Sequence, residues 1–229
     1  MYSFKTVKEK SKRENNELND LLHPFASKFS IYFTWIFINL GLSANAVTGL
    51  FFVVGLAGSF LLFSSDPNIT IFAFILWRLH IIFDMCDGEV ARFTQKFSSN
   101  GAYWDYMIHS ILYPLYFINI SISQYFKFQE INFLFIGIFG GLILSLQLAV
   151  KNNYFRAMLF NNQSLEEYKQ KTNPKSRSKL KHRIFLYATE LVSFEGFFLF
   201  FIILNFIGNE VLITNLLLLY MSLFFIVTF

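Results

Sequence analysis

Residues 84–109 read DMCDGEVARFTQKFSSNGAYWDYMIH, and four side chains in that stretch decide how the chain is read: Asp84, Asp87, Asp105 and His109. On a helix turning about 100° per residue, Asp84 and Asp87 fall about 60° apart on one face. Asp105 and His109 fall about 40° apart on a second helix. Two facing pairs of such ligands can hold two divalent cations between the helices. The flanking sequence is apolar on both sides, and ionisable groups are costly inside a bilayer. A cluster of four is therefore expected to be a functional site.

The composition is that of a polytopic membrane protein: 229 residues, 55% hydrophobic and 20% aromatic, with a mean hydropathy of +0.46. The single cysteine, Cys86, excludes an intramolecular disulfide and a cysteine-based zinc site, and reads as a small packing residue. Residues 1–22 are polar and charged, without the apolar core of a cleavable signal peptide. The expected fold is all-α and integral to the membrane. Six transmembrane helices are placed near 45–64, 69–91, 101–124, 131–150, 185–207 and 211–229, each close to the ~20 residues a bilayer requires.

Residues 23–42, between Pro24 and Gly41, run into the next apolar helix with no room for a turn across lipid. They are expected to form an N-terminal interfacial amphipathic helix anchored by Tyr32 and Trp35; the alternative is a seventh span. Of the 19 basic residues, all but Arg78 and Lys127 fall in the N-terminal segment, the loop after the second span or the loop at 151–184. The positive-inside rule then puts both termini and those loops on the cytoplasmic side. The net charge of +4 is a signal of topology and anionic lipid, with no nucleic acid expected. Arg78, deep in the second span, is expected to pair with Glu195 in the fifth, or else to snorkel or meet backbone carbonyls. His80, one turn before Asp84, is read either as a partner of that carboxylate or as a packed, backbone-bonded histidine. Gly137, Gly141 and Ser145 form a stripe of small residues that suits internal packing and a homodimer contact equally.

The run resembles the motif of the CDP-alcohol phosphotransferase family, D-x2-D-G-x2-A-R-x8-G-x3-D-x3-D. Asp84, Asp87, Gly88, Ala91, Arg92, Gly101 and Asp105 match at the correct spacing; the last position is His109 where the family has Asp. The resemblance implies a six-helix membrane domain over 43–229, a homodimer and two divalent ions, Mg²⁺ or Mn²⁺, at Asp84, Asp87, Asp105 and His109. It implies a CDP-alcohol donor, CDP-diacylglycerol by default, contacting Asp84, Asp87, Gly88, Ala91, Arg92, Gly101 and Ser98. Asn45 and Thr48 look like the family's first-span entry to the nucleotide, and read equally as helix N-terminal caps.

The implied reaction carries a phosphoalcohol group to an acceptor hydroxyl with release of CMP, in phospholipid or related glycolipid synthesis. Asp105 and His109 are the candidate catalytic pair, with His109 suited to act as base near neutral pH. Lys151, Arg156 and Glu190 are candidates for the acceptor side. The site would face the cytoplasm of a multi-pass protein in a bacterial-type inner or plasma membrane. Two rival readings are a catalytically impaired nucleotide-binding homologue and a small six-span transporter. The transporter leaves Gly88, Ala91, Arg92 and Gly101 unexplained at their spacings.

Overall fold

In the computed structural model, which describes residues 1–11, 24–160 and 193–228, every regular element is an α-helix. The eight helices are α1 (Phe4–Ser11), α2 (Pro24–Asn39), α3 (Ala44–Leu61), α4 (Pro67–Thr94), α5 (Ser99–Phe128), α6 (Asn132–Phe160), α7 (Phe194–Ile207) and α8 (Glu210–Thr228). Three are both long and apolar enough to cross a membrane: α3, α4 and the Asn132–Val150 part of α6. Two shorter apolar helices, Phe194–Ile207 and Glu210–Ile226, complete the hydrophobic set. The segment preceding α7, residues 185–192, lies outside the described residues.

The helix ends follow local chemistry. Ser43 caps α3 by accepting from the Ala46 amide, and Asp66 caps α4 with Pro67 in its first turn. Gln95, at φ 54°, ends α4 in the left-handed region, and Ser98 caps α5. Residues 95–98 are thus a tight reversal that sets the two motif helices antiparallel. Pro114 lies inside α5, which continues through it to Phe128.

Helix α4 is the hub, packed by α1, α2, α3 and α7. Both motif helices, α4 and α5, pack on α3. Gly55 of α3 makes this sandwich possible: a methyl there would sit 2.9 Å from His80 Nδ1 on α4 and would also collide with Leu112 on α5. The small-residue stripe of α6 is spent inside the chain. A methyl on Gly137 would lie 2.8 Å from Ser121 Cβ of α5, and one on Gly141 2.7 Å from Ile118 Cδ1. Gly140 is closed by Phe117, while Ser145 is exposed. Internal packing therefore claims Gly137 and Gly141, and these two glycines offer nothing to a second copy.

Among the described residues helix α2 runs Pro24–Asn39, 16 residues or about 24 Å. It packs as a protein contact. Phe33 and Phe37 each meet the Phe83 ring of α4 at 5.2 Å, and Ser30 and Thr34 are fully buried between them. The polar stripe of this helix thus faces protein. Of the two expected anchors, Tyr32 is exposed, whereas the Trp35 indole donates to the Tyr2 carbonyl at 3.0 Å.

Arg78 and Glu195 pair as expected, Nη1 to Oε1 at 3.0 Å, with side chains 27% and 13% exposed. The bond ties the first turn of α7 to the middle of α4. Removing one partner strands a charge in a low-dielectric setting. Glu195→Ala should lower stability by about 1–3 kcal/mol, and Arg78→Met in the same chain should recover part of the loss. Thermal unfolding of the single and double variants in detergent checks this; additive losses would refute the coupling.

Candidate active site

Antiparallel geometry brings the motif residues level. At about 1.5 Å per residue, Asp84 and Asp87 lie about 15 and 10 Å back from the end of α4. Asp105 and His109 lie about 9 and 15 Å into α5. Asp84 and His109 should therefore face each other, and they do: His109 Nε2 is 3.5 Å from Asp84 Oδ1 and 3.1 Å from Asp105 Oδ1. One ligand atom from each of Asp84, Asp105 and His109 falls within 4.8 Å of the others. All three side chains are partly buried, at 28, 37 and 20% exposure respectively.

Asp87, one turn further along α4, is fixed from a different side. Its Oδ2 accepts from Thr48 Oγ1 of α3 at 2.8 Å, the single hydroxyl proton being shared with the Ala44 carbonyl at 3.1 Å within the helix. Thr48 is thus a carboxylate-orienting residue and not a helix cap; the cap is Ser43. Asn45 is no cap either. It is exposed in the first turn of α3, with its Oδ1 3.2 Å from where a methyl on Gly101 would sit. A side chain at Gly101 would crowd the approach of α3 to the start of α5. Ser98 has a structural duty, accepting from the Gly101 amide at 2.8 Å.

Gly88 lies beneath the Arg92 side chain, which folds back one turn. A methyl at Gly88 would be 3.1 Å from Arg92 Nη1 and 3.8 Å from Nη2. Ala91 is half-buried on the same helix, and its carbonyl accepts from the Lys96 amide in the turn that ends α4. Arg156 is exposed on α6. The side chain of Lys151, and the whole of Glu190, fall outside what the structure describes.

The imidazole of His109 sits in an aromatic frame. Phe51 of α3 stacks on it at 6.0 Å, with His80 and Tyr113 each at 5.6 Å. His80 is fully buried and its Nδ1 bonds the Phe51 carbonyl at 3.0 Å, so it braces α3 against α4 and leaves Asp84 to His109. Phe51 and Tyr113 were not singled out in the sequence. Tyr113 lies one turn beyond His109, a spacing that does signal contact; Phe51, on another helix, gives no local signal.

A cation fits this donor set. At a bond length of about 2.1 Å, neighbouring oxygen or nitrogen ligands of an octahedral ion stand about 3 Å apart. The observed separations of 3.1 and 3.5 Å from the imidazole nitrogen are close to that. Two carboxylates and one imidazole offer a divalent ion hard oxygen donors and one softer nitrogen.

Comparison with known proteins gives one result. Residues 41–221 match the family model described as CDP-alcohol phosphatidyltransferase, which spans all seven matched motif positions and His109. No curated protein matches the chain.

Removing Thr48's hydroxyl (Thr48→Val) frees the Asp87 carboxylate without changing charge. It should weaken Mn²⁺ binding by less than about tenfold, whereas Asp84→Asn should weaken it by about tenfold or more, since only the latter removes a carboxylate of the cluster. Electron paramagnetic resonance titration of the purified protein measures both; equal effects would show that the cluster and Asp87 act as one shell.

Proposed function

We propose that this chain, which belongs to the CDP-alcohol phosphatidyltransferase family, moves a phosphatidyl group from CDP-diacylglycerol to an acceptor hydroxyl and releases CMP. The family carries phosphoalcohol groups from CDP-alcohols and is generally dependent on divalent metal; its three membrane-length helices make this chain an integral membrane protein. The single observation that carries the reading is the cluster of Asp84, Asp105 and His109 facing one another across α4 and α5.

Asp84, Asp105 and His109 would hold a divalent cation, Mg²⁺ or Mn²⁺, with Asp87 available to a second. When bound, such an ion neutralises the diphosphate and favours departure of the CMP oxygen. The chain's own residues do the rest. The acceptor oxygen bonds to the phosphorus next to the alcohol as the bond from that phosphorus to the CMP oxygen breaks. His109 serves as ligand or as base: the proton of the acceptor hydroxyl passes to Asp105 in the first case and to His109 in the second, the two side chains lying 3.1 Å apart. Arg92 offsets phosphate charge from the α4 side. Asn45, Thr48, Gly88, Ala91, Ser98 and Gly101 form the donor's surroundings, with Thr48 holding Asp87 in register. Lys151, Arg156 and Glu190 belong to the acceptor side.

In the same reading the six apolar segments span the bilayer, the basic segments and the site lie on the cytoplasmic side, and two chains form a homodimer. The dimer contact then uses a surface other than Gly137 and Gly141. The transporter reading has no support from the family match.

The test is CMP release from CDP-diacylglycerol by purified protein, with Mg²⁺ or Mn²⁺, against a panel of hydroxyl acceptors. Wild type should release CMP only with metal and one class of acceptor. His109→Asp should retain activity, and His109→Ala should lose about 10²–10⁴-fold, the range for a positioned acid–base group. An active wild type with His109→Ala unimpaired would remove His109 from the chemistry. No CMP release with any donor would leave a nucleotide-binding homologue.

A further inference from the structure

We infer that α1 belongs to the donor site: its Ser11 carbonyl positions the guanidinium of Arg92, and α2 is the seat that keeps α1 in place. Both helices precede residue 41, where the family match begins. The inference rests on the donor-phosphate role proposed above for Arg92.

Arg92 Nε donates to the Ser11 carbonyl at 2.8 Å. A backbone carbonyl carries a partial negative charge, and a hydrogen bond from a guanidinium to it is charge-assisted. A guanidinium is planar, so fixing Nε fixes the direction of both Nη nitrogens. Those nitrogens lie on the Gly88 side, at the turn that also carries Asp87. The arginine is thereby held by α1 at its stem, which sets the direction of its fork. A lysine has no second donor nitrogen with which to do both.

The seat is built with charged hydrogen bonds. Glu89, next to Gly88, accepts from Ser30 Oγ at 2.8 Å on one oxygen and from Thr34 Oγ1 at 2.6 Å on the other, both from α2. Cys86 Sγ donates to the Ser30 carbonyl at 3.2 Å. Ser30 and Thr34 stand one turn apart, as do Cys86 and Glu89 approximately, so the two helices mesh along a single seam. That seam is turned about 100–160° around α4 from Asp84 and Asp87, at 100° per residue.

Helix α2 in turn carries α1. The Tyr2 amide donates to Asn39 Oδ1 at 2.7 Å, Trp35 donates to the Tyr2 carbonyl, and Phe4 stacks on Tyr32 at 5.1 Å. Val7 is fully buried beneath α1, and the rings of Tyr2 and Phe93 meet edge to face at 5.0 Å. The support runs from Glu89 through α2 and α1 to Arg92, and so returns to α4 one turn from where it left.

Full-length protein in detergent tests this with two probes, CDP and cytidine, titrated in the presence of Mn²⁺. Val7→Asp undocks α1 by burying a carboxylate, and Arg92→Lys removes the fork. Each should weaken CDP by about tenfold, the scale of one charge-assisted hydrogen bond, and leave cytidine unchanged, because cytidine has no phosphate. The double variant should be no weaker than either single one. If Val7→Asp does not fold, Phe4→Ala, which removes only the ring stacked on Tyr32, is read in the same way. Loss of CDP and cytidine affinity together, or additive losses in the double variant, would make α1 a merely stabilising element and overturn the inference. An effect of Arg92→Lys on CDP with none from undocking α1 would also overturn it, while preserving the role of Arg92. No effect of Arg92→Lys on CDP would remove that role and the inference with it.

Discussion

Three titratable side chains converge at the junction of α4 and α5, and this convergence constrains everything around it. Asp84, Asp105 and His109 stand within 4.8 Å of one another and are each mostly withdrawn from solvent. Carboxylates in such a place repel each other and resist desolvation, so they require compensation. Here the compensation is an imidazole lying between the two carboxylates, and a site of suitable size for a cation. Helix α3 makes the arrangement possible. It lies against both α4 and α5, with Gly55 admitting the close approach and Phe51 covering the imidazole ring. The motif helices thus meet through side chains, with a third helix setting their separation.

The same economy appears in the other polar groups. Thr48 restrains Asp87, Ser30 and Thr34 restrain Glu89, and Glu195 restrains Arg78. Each charged group on α4 is met by a partner from a different helix: Arg78 from α7, Asp84 from α5, Asp87 from α3, Glu89 from α2 and Arg92 from α1. In a medium that contributes no driving force between apolar surfaces, polar contacts and close packing carry much of the specificity of helix association. The contacts that orient the site are therefore also those that hold α4 as the hub. A change in any one of them should be felt both in stability and in the chemistry.

The motif was legible because its spacing is a statement about helix geometry. Residues three or four apart share a face, and the interval between Asp87 and Asp105 accommodates one tight reversal. Arg78 and Glu195 were legible for a related reason: charges in apolar segments have few acceptable partners. Other features had no such signal. Gly137 and Gly141 announce a close approach without saying to what, and α5 of the same chain turned out to be the answer. Thr48 read equally as a cap because a threonine in a first turn fits both uses. His80 was read between Asp84 and the backbone, and the backbone of Phe51 took it. The polar face of α2 suggested water and headgroups, yet it was matched to a carboxylate on α4.

The sequence by itself determined the all-helical class, the membrane character, the family and the four residues that make the site worth examining, since periodicity, hydropathy and motif spacing are properties of a single chain segment. Tertiary structure alone decided which helix backs which: that α3 separates the motif pair, that Phe51 and Tyr113 frame His109, and that Ser11 reaches Arg92 across 81 positions of chain. Such pairings depend on contacts between segments distant in sequence, where no local period records the partner.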